Sequence, residues 1–220
     1  MNWKLPNQLT VARIALAAGF FVLLGLYEQG SAAGPWLLNA AFVLYVVAGV
    51  TDVLDGYLAR KWNVASAFGR IADPFVDKVL VVGAFVMLAG PNFLRPFHVH
   101  LVGCGTVCIM DLPFWLAGDT VSAVQPWMVV VVLAREFIVS AVRGYSESRG
   151  VKFPATSAGK IKMFVQSVAI CTALFIQANM RDVPWACVVT VAVMWLAVVV
   201  TVISGLAYVN KARALLKTDE

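Results

Sequence analysis

The sequence predicts an all-α integral membrane protein, a single bundle of six transmembrane helices over residues 1–220 with no separate soluble domain. Three observations predict it. Of the 220 residues, 61% are hydrophobic and 13% charged, against roughly half and a quarter in soluble domains, so water is not the main solvent. About six apolar stretches reach the roughly 20 residues that a helix needs to cross the hydrocarbon core. The basic residues are also one-sided: Lys4, Arg60, Lys61, Arg70, Arg149, Lys152, Lys160, Lys162, Lys211, Arg213 and Lys217 flank the stretches on one side, and only Arg95 and Arg181 fall in the opposite loops. Short loops rich in Lys and Arg stay cytoplasmic, so both termini are expected there, in a cytoplasmic membrane of bacterial type.

Residues 1–10 (MNWKLPNQLT) place Trp3 and Lys4 at a membrane interface and Pro6 where a helix can start but not continue, a short juxtamembrane segment. The spans are expected near 9–27, 36–60, 70–90, 125–148, 159–178 and 184–208. The first apolar run, Val11 to Leu26, lacks an A-x-A-like exit and is expected to stay as a helix. Leu101–Leu116 is apolar but short, and is broken by Asp111 and Pro113. As a seventh span it would invert everything after it and put the basic 149–162 region outside. Residues 91–124 are therefore expected to form an extracytoplasmic insertion, a re-entrant or interfacial hairpin. Its His98, His100 and Asp111 are weak metal-site candidates, expected instead to be solvated. Cys104, Cys108, Cys171 and Cys187 lack C-x2-C spacing and are expected to act as small apolar residues. The net charge of +5 fits topology and attraction to anionic headgroups or phosphorylated substrates; without an extended soluble basic surface, nucleic acid is not an expected partner.

Ionisable residues inside spans are costly and point to function. Residues 52–77, DVLDGYLARKWNVASAFGRIADPFVD, fit D-x2-D-G-x2-A-R-x8-G-x3-D-x3-D at every specified position. On a helix, Asp52, Asp55, Gly56 and Ala59 fall at i, i+3, i+4 and i+7, which puts two carboxylates and two small residues on one face. Gly69, Asp73 and Asp77 follow at i, i+4 and i+8 on the next helix, and the linker from Lys61 to Phe68 lets the two run antiparallel. Four anions in a low dielectric repel unless cations compensate them. Hard divalent ions do so, Mg²⁺ with a few carboxylates and substrate phosphate oxygens, and a pair of them can clamp both oxygens of an in-line displacement at phosphorus. A lone Asp could be a cap or a partner of Arg60. Four at this spacing, with Gly56, Ala59, Arg60 and Gly69 in register, favour chemistry; a cation transporter would leave those four unexplained, and the D-D-x-x-D run of prenyl-diphosphate sites is absent.

This pattern resembles the CDP-alcohol phosphotransferase family, over 26 residues in the motif and over nearly the whole chain in the six-helix layout. The resemblance implies that fold and two divalent cations, Mg²⁺ first and Mn²⁺ as the alternative. It implies that Asp52, Asp55, Asp73 and Asp77 ligate metal and that Asp77 is also the general base. It further implies that Gly56 and Ala59 make room for the cytidine, that Arg60 and Ser66 contact the CDP moiety and that Gly69 belongs to the same CDP-lipid site, while the P-N-Q-L-T stretch, Asn7 to Thr10, closes over the nucleotide and its phosphates. Family members are often homodimers, and small-residue faces can pack that way.

The acceptor must be read outside the motif. Arg135 and Arg143 are two turns apart on one predicted helix and Lys160 opens the next, three cations suited to an acceptor that carries its own phosphate. The alternative is that Arg143 and Lys160 are plain positive-inside flanks and Arg135 pairs with Glu136. The runs L-P-N-Q-L-T-V-A-R, D-P-F-V-D-K-V-L-V-V-G and R-E-F-I-V-S-A-V-R followed by G-K-I-K resemble the branch of the family that makes phosphatidylglycerol phosphate. That implies CDP-diacylglycerol as donor and sn-glycerol 3-phosphate as acceptor, the latter's phosphate held by Arg135, Arg143 and Lys160. Other acceptors in the family are inositol phosphate, serine and phosphatidylglycerol. Two departures, the long 91–124 insertion and Gly144 after Arg143, leave the metal motif intact.

Overall fold

The computed structural model describes the backbone of residues 4–62, 67–94, 118–149, 157–181 and 183–216, with the side chains of these residues except 4–7, 9, 55–62, 67–74, 157–158, 184 and 211–216. Six α-helices and no strand occur among the described residues: α1 Lys4–Leu26, α2 Gly34–Trp62, α3 Ala67–Leu88, α4 Pro126–Ser148, α5 Ser157–Asn179 and α6 Pro184–Leu216. Helix α1 begins earlier than expected, so the predicted juxtamembrane segment is helical from Lys4. Pro6 is tolerated because the first-turn N–H groups have no intrahelical partner anyway. Helix α6 also runs past the expected end at 208 to Leu216.

Apolar residues are present on every side of these helices, so packing alone selects which are covered. Phe20 and Leu24 of α1, Leu38 and Tyr45 of α2, Phe85 and Leu88 of α3, and Ile170 and Leu174 of α5 form one continuous core, closed by Met194 of α6. Helix α1 packs against α2 and α3, α2 against α5, and α6 against α4 and α5. Gly83 of α3 faces the Phe21 ring of α1. A Cβ there would lie 2.5 Å and 2.7 Å from ring carbons of Phe21. Gly83→Val is expected to cost about 1–3 kcal/mol through overpacking, read as a lower melting temperature in detergent.

Contacts at one end of the bundle fix the direction of all six helices. Just beyond α3, Asn92 donates to the carbonyls of Leu24 and Gly25 at the end of α1, and Tyr27 stacks on Phe93 with centroids 4.8 Å apart. Asn39 near the start of α2 exchanges amide hydrogen bonds with Asn179 at the end of α5. The Ser122 hydroxyl donates to the Leu88 carbonyl (2.6 Å), and Gln177 of α5 donates to the Val121 carbonyl (2.5 Å). The helices therefore alternate up and down, and the start of α1 and the end of α6 lie at the other end.

The insertion leaves and returns at this first end. A 3₁₀ turn, Pro91–Phe93, is followed by an isolated antiparallel bridge between Leu94 and Thr120, and Val121 N–H donates to the Phe93 carbonyl at 2.8 Å. Residues 95–117, with His98, His100, Asp111, Cys104 and Cys108, lie outside the described residues. Of the other cysteines, Cys187 is buried and Cys171 partly so.

Among the described residues, three helices contain stretches long and apolar enough to cross a membrane: Gly34–Leu54, Gly159–Asn179 and Trp185–Asn210. Thr10–Leu26 of α1 is apolar but shorter, and α3 and α4 carry Asp77, Lys78, Arg135 and Glu136 in their interiors. Beside the apolar core, the surface is rich in large apolar side chains and the interior holds several charged and polar ones. Val22, Phe75, Phe137, Phe164 and Leu206 are exposed, while Arg13, Arg135, Lys162, Gln166 and Thr201 are buried. Large exposed apolar surfaces mark contact with lipid or another apolar partner.

Candidate active site

Toward the end of the bundle where α1 starts and α6 finishes, α1, α2 and α3 converge on one buried cation. Arg13 of α1 is 1% exposed, and its Nη1 lies 2.7 Å from Oδ1 of Asp52 on α2 and 3.1 Å from Oδ1 of Asp77 on α3. A charged side chain is buried at this cost only when it is paired. The carboxylates themselves remain accessible, at 38% for Asp52 and 26% for Asp77. They therefore face open space on one side and a fixed positive charge on the other. Thr10, one turn before Arg13, is also buried.

The helical backbone runs unbroken through Asp52 and Asp55 on α2 and through Asp73 and Asp77 on α3. Positions three or four apart on a helix share a face, so the backbone places 55 beside 52 and 73 beside 77. Asp52 and Asp77 are brought together. The side chains of Asn7, Asp55, Gly56, Ala59, Arg60, Gly69 and Asp73, and all of Ser66, lie outside the described residues. The donor set suits a hard divalent cation: its members are carboxylate oxygens, and two from different helices are held together although like charges repel.

A second polar cluster joins α4, α5 and α6. Oε1 of Glu136 accepts from Arg135 Nη1 at 2.8 Å and from Lys162 Nζ at 2.5 Å. Arg135 Nη2 donates to Ser204 Oγ at 2.8 Å, and its guanidinium lies 5.4 Å from the Tyr208 ring centroid. Gly205 leaves room for this, since a Cβ there would sit 3.2 Å from Arg135 Cγ. Arg143 Nη2 approaches the Tyr208 hydroxyl at 3.4 Å. Lys78, next to Asp77, donates to Ser140 Oγ at 2.5 Å and so links α3 to α4 beside this cluster.

The three cations assigned to the acceptor thus differ. Arg135 is buried and paired with Glu136, the structural alternative the sequence allowed, whereas Arg143 and Lys160 are exposed. Lys162, expected as a flanking positive-inside residue, is instead buried against Glu136, because the lone carboxylate draws both cations inward. Sequence reasoning missed Arg13, Lys162 and Tyr208 as parts of these constellations. Arg13 had a signal, being the one charged residue between Lys4 and Glu28 and lying inside an apolar run.

A family model described as CDP-alcohol phosphatidyltransferase matches residues 3–203. A Bacillus subtilis (strain 168) protein named CDP-diacylglycerol–glycerol-3-phosphate 3-phosphatidyltransferase is 32% identical, covering 99% of this chain and 99% of its own length. Relatives with the same name occur in Shigella flexneri serotype 5b, 32% identical over 97% of both chains, and in Rickettsia felis, 29% identical over 93% of both.

Proposed function

The chain belongs to the CDP-alcohol phosphatidyltransferase family, and on that premise we propose that it transfers the phosphatidyl group of CDP-diacylglycerol to sn-glycerol 3-phosphate, releasing CMP and forming phosphatidylglycerol phosphate. The observation that carries this is the end-to-end likeness to proteins named for that reaction.

Asp52, Asp55, Asp73 and Asp77 would hold two divalent cations, Mg²⁺ in the first instance. When bound, the cations neutralise the donor's diphosphate and stabilise the charge that develops on the departing CMP. The protein's own part is to place the groups. Gly56, Ala59 and Gly69 give the CDP-lipid access, Arg60 and Ser66 contact it, and Asn7 to Thr10 cover the nucleotide. Asp77 accepts the proton of the acceptor's hydroxyl as its oxygen bonds to the lipid-bearing phosphorus, and the bond from that phosphorus to the CMP oxygen breaks with its electron pair leaving on CMP. Arg143 and Lys160, with Arg135 behind them, hold the acceptor phosphate; the exposure of the first two supports direct contact.

All six helices cross the membrane, with the aspartates and both termini on the cytoplasmic side and residues 91–124 outside. The common end of the start of α1 and the end of α6, and the lipid-like exposure of Val22, Phe75 and Phe137 on the three helices without a full-length apolar stretch, support this. Pairing of two copies is the expected assembly. Gly49 and Gly144 are exposed with open space around them, as close approach of a second helix requires.

The test is CMP release by purified protein supplied with CDP-diacylglycerol and a panel of acceptors, with and without chelator. Release is expected with glycerol 3-phosphate and lost with chelator. Release with inositol phosphate, serine or phosphatidylglycerol but not glycerol 3-phosphate would reassign the acceptor. Divalent-ion uptake by sealed vesicles without CMP formation would replace the enzyme by a transporter.

A further inference from the structure

We propose that Arg13 is a positioning residue for the metal ligands, setting the affinity of the site for its cations and locking α1 onto it; this rests on the metal-site reading above. Asp52 and Asp77 stand on different helices and carry like charges, so their proximity needs a cause. A single nitrogen supplies it, 2.7 Å from one carboxylate and 3.1 Å from the other. Each carboxylate meets Nη1 through Oδ1. The guanidinium is almost wholly buried while the carboxylates are accessible, so it supports them from the protein side and leaves the approach open.

The residue type matters. Arginine remains charged and offers a rigid planar fork of donors, whereas lysine offers a compact, strongly hydrated point charge. Groups that orient metal ligands from behind typically contribute about 10–100-fold to metal affinity. Arg13 also transmits position. Thr10 is buried one turn earlier on the same helix, so the N-terminal segment proposed to cover the nucleotide is held in register with the metal ligands by the same contact.

The experiment uses full-length protein in detergent and follows binding of Mn²⁺ by loss of the free-ion EPR signal, alongside the metal-dependent rise in melting temperature. Arg13→Gln is expected to weaken Mn²⁺ binding by about 10–100-fold and Arg13→Lys by a smaller, measurable factor, with CMP release partly recovered at high metal. Unchanged or tighter binding in Arg13→Gln, whatever happens to activity or stability, would overturn the proposal, because a purely structural brace would lower stability without moving metal affinity. If Arg13→Gln does not fold, Arg13→Lys decides the matter, and wild-type Mn²⁺ affinity in that variant would overturn the proposal equally. Absence of Mn²⁺ binding by the unaltered protein would instead remove the metal site itself, and the role of Arg13 with it.

Discussion

Asp77→Asn is expected to reduce CMP release by about 10³-fold while leaving the fold in place. Asparagine is nearly isosteric and its amide oxygen still accepts from Arg13 Nη1, the contact that Asp77 makes at 3.1 Å. Asp52 stays paired with the same nitrogen at 2.7 Å, so the buried guanidinium is not left uncompensated. What disappears is a carboxylate able to take a proton, together with part of the negative charge proposed to hold metal. Asp52→Asn separates these two losses. It weakens metal binding but leaves the proposed base, so excess Mg²⁺ should recover part of its activity, whereas Asp77→Asn should stay inactive at any metal concentration. CMP release from Asp77→Asn within tenfold of the unaltered protein at saturating Mg²⁺ would remove Asp77 as the base and leave it a ligand at most.

The bundle was legible from the sequence because its solvent is unusual. Where lipid surrounds a protein, length and hydropathy decide what is helical, and each of the six expected spans has a helix over it. The ends were less legible, since they depend on local backbone chemistry. Pro6 sits within the first turn and α6 continues through polar residues to Leu216, neither of which an apolar run marks. At the carboxylate site, the spacing of Asp52 and Asp77 pointed to two helices, but not to the third helix that joins them. Spacing reports neighbours along one helix; the contact from Arg13 to Asp77 spans 64 positions. The sole signal was the cost of an arginine inside an apolar run. The Lys162 assignment failed for the same reason: at the head of α5 it looked like a flanking charge, and only packing against α4 brings it to Glu136. Arg135 could be read either way from sequence because its partner is adjacent, and the pairing with Glu136 is the one found.

Glu136→Leu is expected to destabilise the protein by about 3–5 kcal/mol, the range seen when one member of a buried ion pair is removed. Its carboxylate is 12% exposed and serves two cations that are more buried still, Arg135 and Lys162. The Arg135 guanidinium keeps Ser204 and the Tyr208 ring after the change, but Lys162 Nζ loses the carboxylate that accepts from it. Three groups with a net charge of +1 would become two with +2 in a low dielectric. Adding Lys162→Met restores the original net charge and replaces a buried ammonium with an apolar chain of similar length, so the double variant should melt above Glu136→Leu alone. A double variant no more stable than the single one would mean that the cost comes from the loss of Glu136's contact with Arg135 and not from the stranded lysine. The effect should extend to the acceptor side. Arg135 packs on Tyr208, whose hydroxyl meets Arg143, so a shift of Arg135 displaces the proposed phosphate contact. In whatever fraction of Glu136→Leu remains folded, the KM for glycerol 3-phosphate should rise while that for CDP-diacylglycerol holds.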